Sequence, residues 1–404
     1  MVETTTYRGL MSFRVLEAAL LSVVLSASLG LPAASATQVT VQPQVVGGQE
    51  ADPGEFGFVA SVLSAPRFRQ SGAYQAQYCA ASLTSPTTLI TAAHCLVDQQ
   101  TGERLRPRDL LIAFGSDLRS PKVRIASVQD FAVHPGYRVK TAENDIAVIY
   151  LSEPVSDLPI IQLAQGADVA AYDAPGTAAQ VAGWGNTRAR GNRFLPELQV
   201  GNLRVFPDAA CGRGKAYEVN GVRFDGFTKP EANPLTMLCA AGASPAGDVI
   251  DACQGDSGGP LTAGVGDGRR LIGVVSWGQQ CASKLPGVYT RISSETDFLI
   301  DAGVIPLKPP ILAPSIEIST PSPTSARIRF TAPADGTRVN AFAVTATHTA
   351  TGEVFTCTSA PKPNRREATC VIDGIPATGQ LQFEAISGND SGNSPVSRPS
   401  VLER

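Results

Sequence analysis

Histidine is scarce in this chain, with three among 404 residues. With no CxxC pair either, a structural zinc site lacks its ligands, and no metal or cofactor is expected. Positive charge is not in excess: 33 Lys and Arg face 36 Asp and Glu, a net charge of −3. That offers no basic footprint for nucleic acid. Long apolar runs are missing except near the N-terminus, where 18-ALLSVVLSASLGL-30 is too short and too broken by serine to span a bilayer comfortably. With Arg8 and Arg14 before it and 34-ASA-36 after it, the run reads as a secretory signal over residues 1–36. A start at Met11 shortens that leader without changing its meaning. The expectation is a secreted, extracellular protein with no membrane span.

Cysteine is plentiful by comparison: Cys79, Cys95, Cys211, Cys239, Cys253, Cys281, Cys357 and Cys370. An even number in an exported chain predicts a disulfide framework. Cys357 and Cys370 stand close enough in sequence to bridge each other.

From about residue 45 to 292, short apolar or alternating runs such as 57-GFVASVL-63, 145-DIAVIYL-151 and 271-LIGVVSW-277 are broken by Gly, Pro, Asn and Asp. That rhythm predicts an all-β barrel or sandwich rather than βαβ units. One helix is expected over 294-SETDFLIDAG-303, capped by Ser294 with Asp297 and stopped by Gly303. The proline-rich 305–315 predicts an extended spacer. Beyond it, period-two runs in 316–404 predict a small β-sandwich.

The stretch 251-DACQGDSGGP-260 sets Ser257 on a turn lined by Gly255, Gly258 and Gly259. Glycine is entropically costly to order, which fits a backbone that must approach a ligand closely, though a plain loop also uses it. A serine hydroxyl needs a base. His94, in 91-TAAHC-95, ends an apolar run. His134 precedes proline and is expected at the surface, and His348 is expected to face solvent. Asp145 leads into an apolar strand, where a buried charge needs a partner. The string 255-GDSGG-259 also satisfies the G-x-S-x-G elbow, but that fold sets its acid and histidine after the serine. Here the order is His94, Asp145, Ser257.

That order, with TAAHC, NDIAVI, GWG (183–185), CQGDSGGP, 276-SWG-278 and 286-PGVYTRI-292, resembles the trypsin-like serine peptidases of the chymotrypsin fold, in their secreted bacterial form. The resemblance covers Val45 to about Gly303. It implies a double β-barrel with a C-terminal helix and its site between the barrels. Ser257 is then the nucleophile, His94 the base and acid, Asp145 the orienter, and the N–H groups of Gly255 and Ser257 the oxyanion hole. The resemblance also implies disulfides Cys79–Cys95, Cys211–Cys239 and Cys253–Cys281.

By the same resemblance, Asp251 lies at the base of the primary pocket. Ala252, Ser276, Trp277, Gly278 and Gly287 surround it, and Gln280 stands where glycine is usual. Asp251 favours arginine over lysine because a guanidinium pairs bidentately and Ala252 lacks a hydroxyl for an ammonium. The string 45-VVGGQEA-51 resembles the family's mature N-terminus, whose ammonium pairs with the acid at Asp256. The chain is then a zymogen with pro-segment 37–44, opened after Gln44. Because Gln44 is not basic, another peptidase is expected to cut there. The peptidase domain is expected to span 45–304. Residues 219–227 suggest a hairpin in a long Cys211–Cys239 loop, and 114–127 lacks the acids of a calcium loop. The last module, 316–404, resembles a fibronectin type III domain. The expected protein is a monomer that acts on Arg- and Lys-containing proteins or peptides; the competing reading is an inactive homologue kept for binding.

Overall fold

Turn-bounded apolar runs close into two barrels. The computed structural model describes residues 45–228, 231–333, 337–362 and 365–404. The expected leader and pro-segment lie outside the described residues. The first barrel uses β1 (Val59–Ser64), β2 (Gln77–Ser85), β3 (Thr88–Thr91), β4 (Leu110–Phe114), β5 (Arg124–Val133) and β6 (Ala147–Leu151). They pair in the closed order β1-β2-β3-β6-β5-β4. The second uses β7 (Ala178–Gly183), β8 (Gln199–Val205), β9 (Met237–Ala243), β10 (Pro260–Ala263), β11 (Arg270–Trp277) and β12 (Gly287–Arg291). Their order is β8-β7-β10-β11-β12-β9, and the pairings Arg204 with Ala241 and Val205 with Ala240 close the ring. This is the chymotrypsin-type all-β architecture expected from the sequence.

Ile146 to Ile149 are all fully buried, so this run does not alternate. The reason is that both of its faces are covered. Its outer side meets the C-terminal helix, where Tyr150 Oη donates to Ala302 O at 3.0 Å and Leu299 joins the same core.

The structure adds α1 (Ala65–Ala76) between β1 and β2, an element the sequence pattern did not suggest. Pro66 starts it, Gly72 kinks it at φ 77°, and its buried face is only Ala65, Ala73 and Ala76. A face of three alanines leaves no apolar periodicity to read. The expected helix over 294–303 is shorter: a 3₁₀ turn at Ile292–Glu295 leads into α2 (Thr296–Asp301). The capping box is not formed, because Ser294 Oγ donates to Arg291 O and Glu295 Oε1 instead. Gly303 does stop the helix, at φ 72°. The expected hairpin reduces to Tyr217–Val219 against Val222–Phe224 around Asn220–Gly221.

All four disulfides are formed: Cys79–Cys95, Cys211–Cys239, Cys253–Cys281 and Cys357–Cys370. Beyond the proline-rich stretch, β13 (Ser315–Ser322), β14 (Ser325–Thr331), β15 (Ala341–His348), β16 (Val354–Ser359), β17 (Glu367–Asp373), β18 (Gln380–Asn389) and β19 (Ser400–Glu403) form two sheets. These are β13-β14-β17 and β16-β15-β18, with β19 on β18. Phe330 and Phe342 stack between them at 5.1 Å, and Cys357–Cys370 ties the β16 and β17 edges. His348 does not face solvent: it is buried, with Nδ1 2.8 Å from Thr351 Oγ1. It ends an alternating strand on the inward side, which the sequence reading missed. Asn389 Nδ2 and Ser391 Oγ donate to Lys308 O and Leu307 O, so the spacer is held to this sandwich at its start.

Candidate active site

His94 is carried by a 3₁₀ turn, Ala93–Cys95, at the end of β3, and the Cys79–Cys95 bridge clamps that turn to β2. Asp145 precedes β6, the strand beside β3. Adjacent strand ends thus bring the two side chains together across 51 residues of sequence. His94 Nδ1 lies 2.7 Å from Asp145 Oδ2, and the His94 N–H donates to Oδ1 at 2.9 Å. Asp145 is fully buried and takes a third hydrogen bond, from Ser276 Oγ at 2.5 Å. Thr290 Oγ1 donates to its carbonyl. This geometry selects the tautomer with the proton on Nδ1 and leaves Nε2 free to accept one. Burial pulls the His94 pKa down, but the charge and hydrogen bond of Asp145 outweigh it, so the net shift is upward.

Ser257 sits on the loop between the Cys253–Cys281 bridge and β10. Its carbonyl accepts from Ala80 N at 2.7 Å, which pins the loop to β2. Gly258, at φ +79°, is pressed against the histidine strand: a Cβ there stands 2.2 Å from Thr91 Oγ1 and 2.4 Å from Ala80 O. Gly255 has φ +97°. Among the described residues, the N–H groups of Gly255 and Ser257 donate to no backbone carbonyl. Two free amides beside a serine can hold a developing oxyanion. Gln77 Nε2 donates to Gly255 O at 2.7 Å and fixes how that peptide is turned.

Asp256 points the other way, into the protein. It is fully buried, with Oδ1 accepting from Gly185 N at 2.7 Å and Oδ2 from Cys253 N at 2.9 Å. Burial pushes it up to about 6 despite those bonds. The space it fills explains the GWG motif, since a Cβ on Gly183 or Gly185 would lie 2.2 Å or 2.4 Å from its carboxylate.

A cavity of about 200 Å³ runs from Ser257 down to Asp251, walled by Ala252, Ser276, Trp277, Gly278 and Gly287. Asp251 Oδ2 accepts from Ala282 N, while buried Oδ1 has no partner among the described residues. Burial pushes this carboxyl up to about 8; the amides of Ala282 and Ala252 pull against that, and Asp256 adds to it. A Cβ on Gly287 would come 2.8 Å from Oδ1, whereas one on Gly278 would meet nothing within 4 Å. Glycine is needed at 287 to bare the acid, whereas at 278 an added carbon would stand in open space. Gln280 lines the same cavity.

The residues expected for catalysis, the oxyanion hole, the pocket and activation lie in two connected places, around Ser257 and behind it, whereas Cys357, Cys370 and His348 belong to the C-terminal sandwich. Sequence reasoning missed Gln77, and it missed that Ser276, which lines the pocket as expected, also turns its hydroxyl to Asp145. Gln77 belongs to no readable motif and the SWG motif does not show this task of Ser276, because each acts across more than 130 residues of sequence. His134 is not simply a surface residue: its ring is 4.9 Å from Phe298 and its Nε2 3.4 Å from Glu295.

Residues 45–299 match the family described as Trypsin. The chain is 35% identical over 266 residues to a trypsin of Saccharopolyspora erythraea, covering 65% of this chain and 100% of that protein. It is 34% identical over 252 residues to trypsin alpha of Drosophila erecta, covering 62% and 84%. A transmembrane protease serine 11C of Mus musculus is 34% identical over 259 residues, covering 63% of this chain and 53% of that protein.

Proposed function

This chain belongs to the trypsin family of serine endopeptidases, and we propose that it is a secreted, zymogen-derived enzyme that cuts after arginine in preference to lysine. The observation that carries the specificity is the unpartnered Oδ1 of Asp251 at the floor of the cavity that Ser257 opens. A guanidinium entering there supplies the missing partner and ionises the acid.

Catalysis follows from the groups around it. Ser257 Oγ attacks the scissile carbonyl carbon while its proton passes to His94 Nε2. The oxyanion takes hydrogen bonds from the Gly255 and Ser257 amides. Asp145 holds the imidazolium through Nδ1. The C–N bond breaks as His94 returns the proton to the leaving amine. Water then attacks the ester, giving a proton to His94, which passes it back to Ser257 Oγ.

Activation is supported by how the segment after Gln44 is seated. Val45 is fully buried in the second-barrel core with Val181 and Ile250. Val46 O accepts from Asp251 N at 3.1 Å, so the segment docks beside the pocket acid. Val45 stands at φ +49°, strained for a β-branched residue in an unbroken chain. Cutting the Gln44–Val45 bond removes that dihedral constraint and creates an ammonium to neutralise Asp256. Export is supported by the family's habit and by the disulfides. No helix among the described residues is long and apolar enough to cross a membrane.

The test is hydrolysis of matched arginyl, lysyl and tyrosyl peptide amides by protein that begins at Val45. Wild type should favour arginyl, and Ser257→Ala should lose at least about 10⁴-fold in kcat. A tyrosyl preference would overturn the role given to Asp251. Activity that survives in Ser257→Ala would overturn the triad.

A further inference from the structure

The chain as a whole is weakly acidic, yet arginines gather on one side of the nucleophile. Helix α1 carries Arg67 and Arg69, the loop after β4 carries Arg119, and the loop after the GWG motif carries Arg188, Arg190 and Arg193. Residues 65–77 and 186–194 contain no Asp or Glu. The six arginines are exposed, except Arg193, which is partly covered. Among the described residues none of them makes an ion pair.

The three segments are fastened together and to the oxyanion loop. Tyr74 Oη, on α1, donates to Phe194 O at 2.9 Å. The Arg119 guanidinium lies over the Tyr74 ring at 4.2 Å. Asn186 N donates to Gln254 O at 2.8 Å. Gln77, just past α1, donates to Gly255 O. Between α1 and the Arg119 loop runs a groove of about 430 Å³ with Phe68, Leu118, Val123 and Ile125 in its walls.

Which part of a substrate meets this surface follows from the chemistry at Ser257. The side chain before the cut enters the Asp251 cavity, and none of these arginines lines it. The leaving amine must approach His94, which lies against the Cys79–Cys95 bridge, with Cys95 Sγ 3.9 Å from Nε2. The chain beyond the cut therefore leaves past that bridge and Gln77, toward α1. Tyr78 Oη donates to Cys95 O beside that bridge, and the Arg67 charge acts on this hydroxyl, offsetting part of the rise that burial imposes.

We propose that this arginine-lined arc is a recognition surface for acidic residues on the C-terminal side of the scissile bond, so that the preferred substrates are proteins in which the cleaved arginine is followed by Asp or Glu. The proposal rests on the arginine-specific peptidase reading above. Opposite charge at exposed positions steers encounter and holds the leaving segment, and salt screens it. Each exposed contact is weak, so two acids should raise kcat/KM by about threefold to tenfold.

The test uses the full activated protein with quenched peptides in which arginine is followed by Ser-Asp-Glu, Ser-Ala-Ala or Ser-Lys-Lys, and an arginyl anilide as reference. Expected is the order acidic, neutral, basic, flattened in 1 M NaCl. In Arg67→Ala/Arg69→Ala and in Arg188→Ala/Arg190→Ala, the ratio of acidic peptide to anilide should fall. Equal rates on all three peptides, with the anilide cleaved, overturn the surface and leave the peptidase reading intact. No cleavage of the anilide or of any arginyl peptide overturns the arginine reading and this surface with it.

Discussion

At the scale of single residues, the site depends on groups held in conformations that cost energy alone. Gln77 has one visible side-chain task, holding the Gly255 carbonyl, whose peptide borders the oxyanion site proposed above. Gln77→Met keeps the shape but removes the donor. It should lower kcat by about tenfold with KM nearly unchanged, because the interaction matters when charge develops. A change confined to KM would remove Gln77 from the oxyanion machinery. Asp251 gives a second expectation. With its carboxyl pushed up to about 8 in the empty pocket, binding a benzamidinium ion requires loss of a proton. Affinity should therefore rise by about tenfold per pH unit between 6 and 7.5, with about one proton released on binding. Calorimetry in two buffers of different ionisation enthalpy reads this directly, and a flat Kd across that range refutes it.

At the scale of elements, glycines set how closely the strands and loops approach. Gly258→Ala places a methyl within 2.4 Å of Thr91 Oγ1 and Ala80 O, at a φ of +79° that L side chains avoid. It should destabilise the fold by about 2 kcal/mol or more, seen as a lower urea midpoint, as well as inactivate the enzyme. A stable variant with normal activity would show that the loop is not clamped on the histidine strand. Much of this was legible in the sequence. TAAHC, NDIAVI, GWG and CQGDSGGP each fall where contact is closest, and residue type there admits little choice. Helix α1 was not legible, because three buried alanines and a kink at Gly72 leave no periodic apolar stripe. The capping box at Ser294 was misread because a local pattern met a 3₁₀ turn that took the hydroxyl elsewhere.

At the scale of the whole molecule, buried acids link activation, stability and pH. Burial raises Asp251 to about 8, Asp256 to about 6 and Glu295 to about 7. In each case the folded form binds its proton more tightly than the unfolded chain does, at about 4. Their combined effect therefore lowers stability as pH rises from about 4 toward 8. An ammonium at Val45 should offset the part due to Asp256. Protein beginning at Val45 should thus lose less melting temperature between pH 5 and 8 than protein beginning at Thr37. Equal losses would count against the Val45–Asp256 pairing. Chain cut after residue 304 should keep its arginyl anilide activity, since every group argued to act in catalysis precedes that point.

The sequence by itself determined an all-β class, from apolar runs of strand length, and its motifs, through the family resemblance they carry, pointed to the double barrel and to the triad proposed above. Short-range rules suffice for the strands because strand period is a property of neighbouring residues, whereas the contacts that require the motif glycines come from distant parts of the chain. The tertiary structure decided which groups serve the motifs from a distance. It brought the Ser276 hydroxyl to Asp145, Gln77 to the oxyanion loop, and arginines from three separate segments to one side of Ser257. Barrel closure creates those encounters between residues far apart in the chain, and no local pattern encodes them.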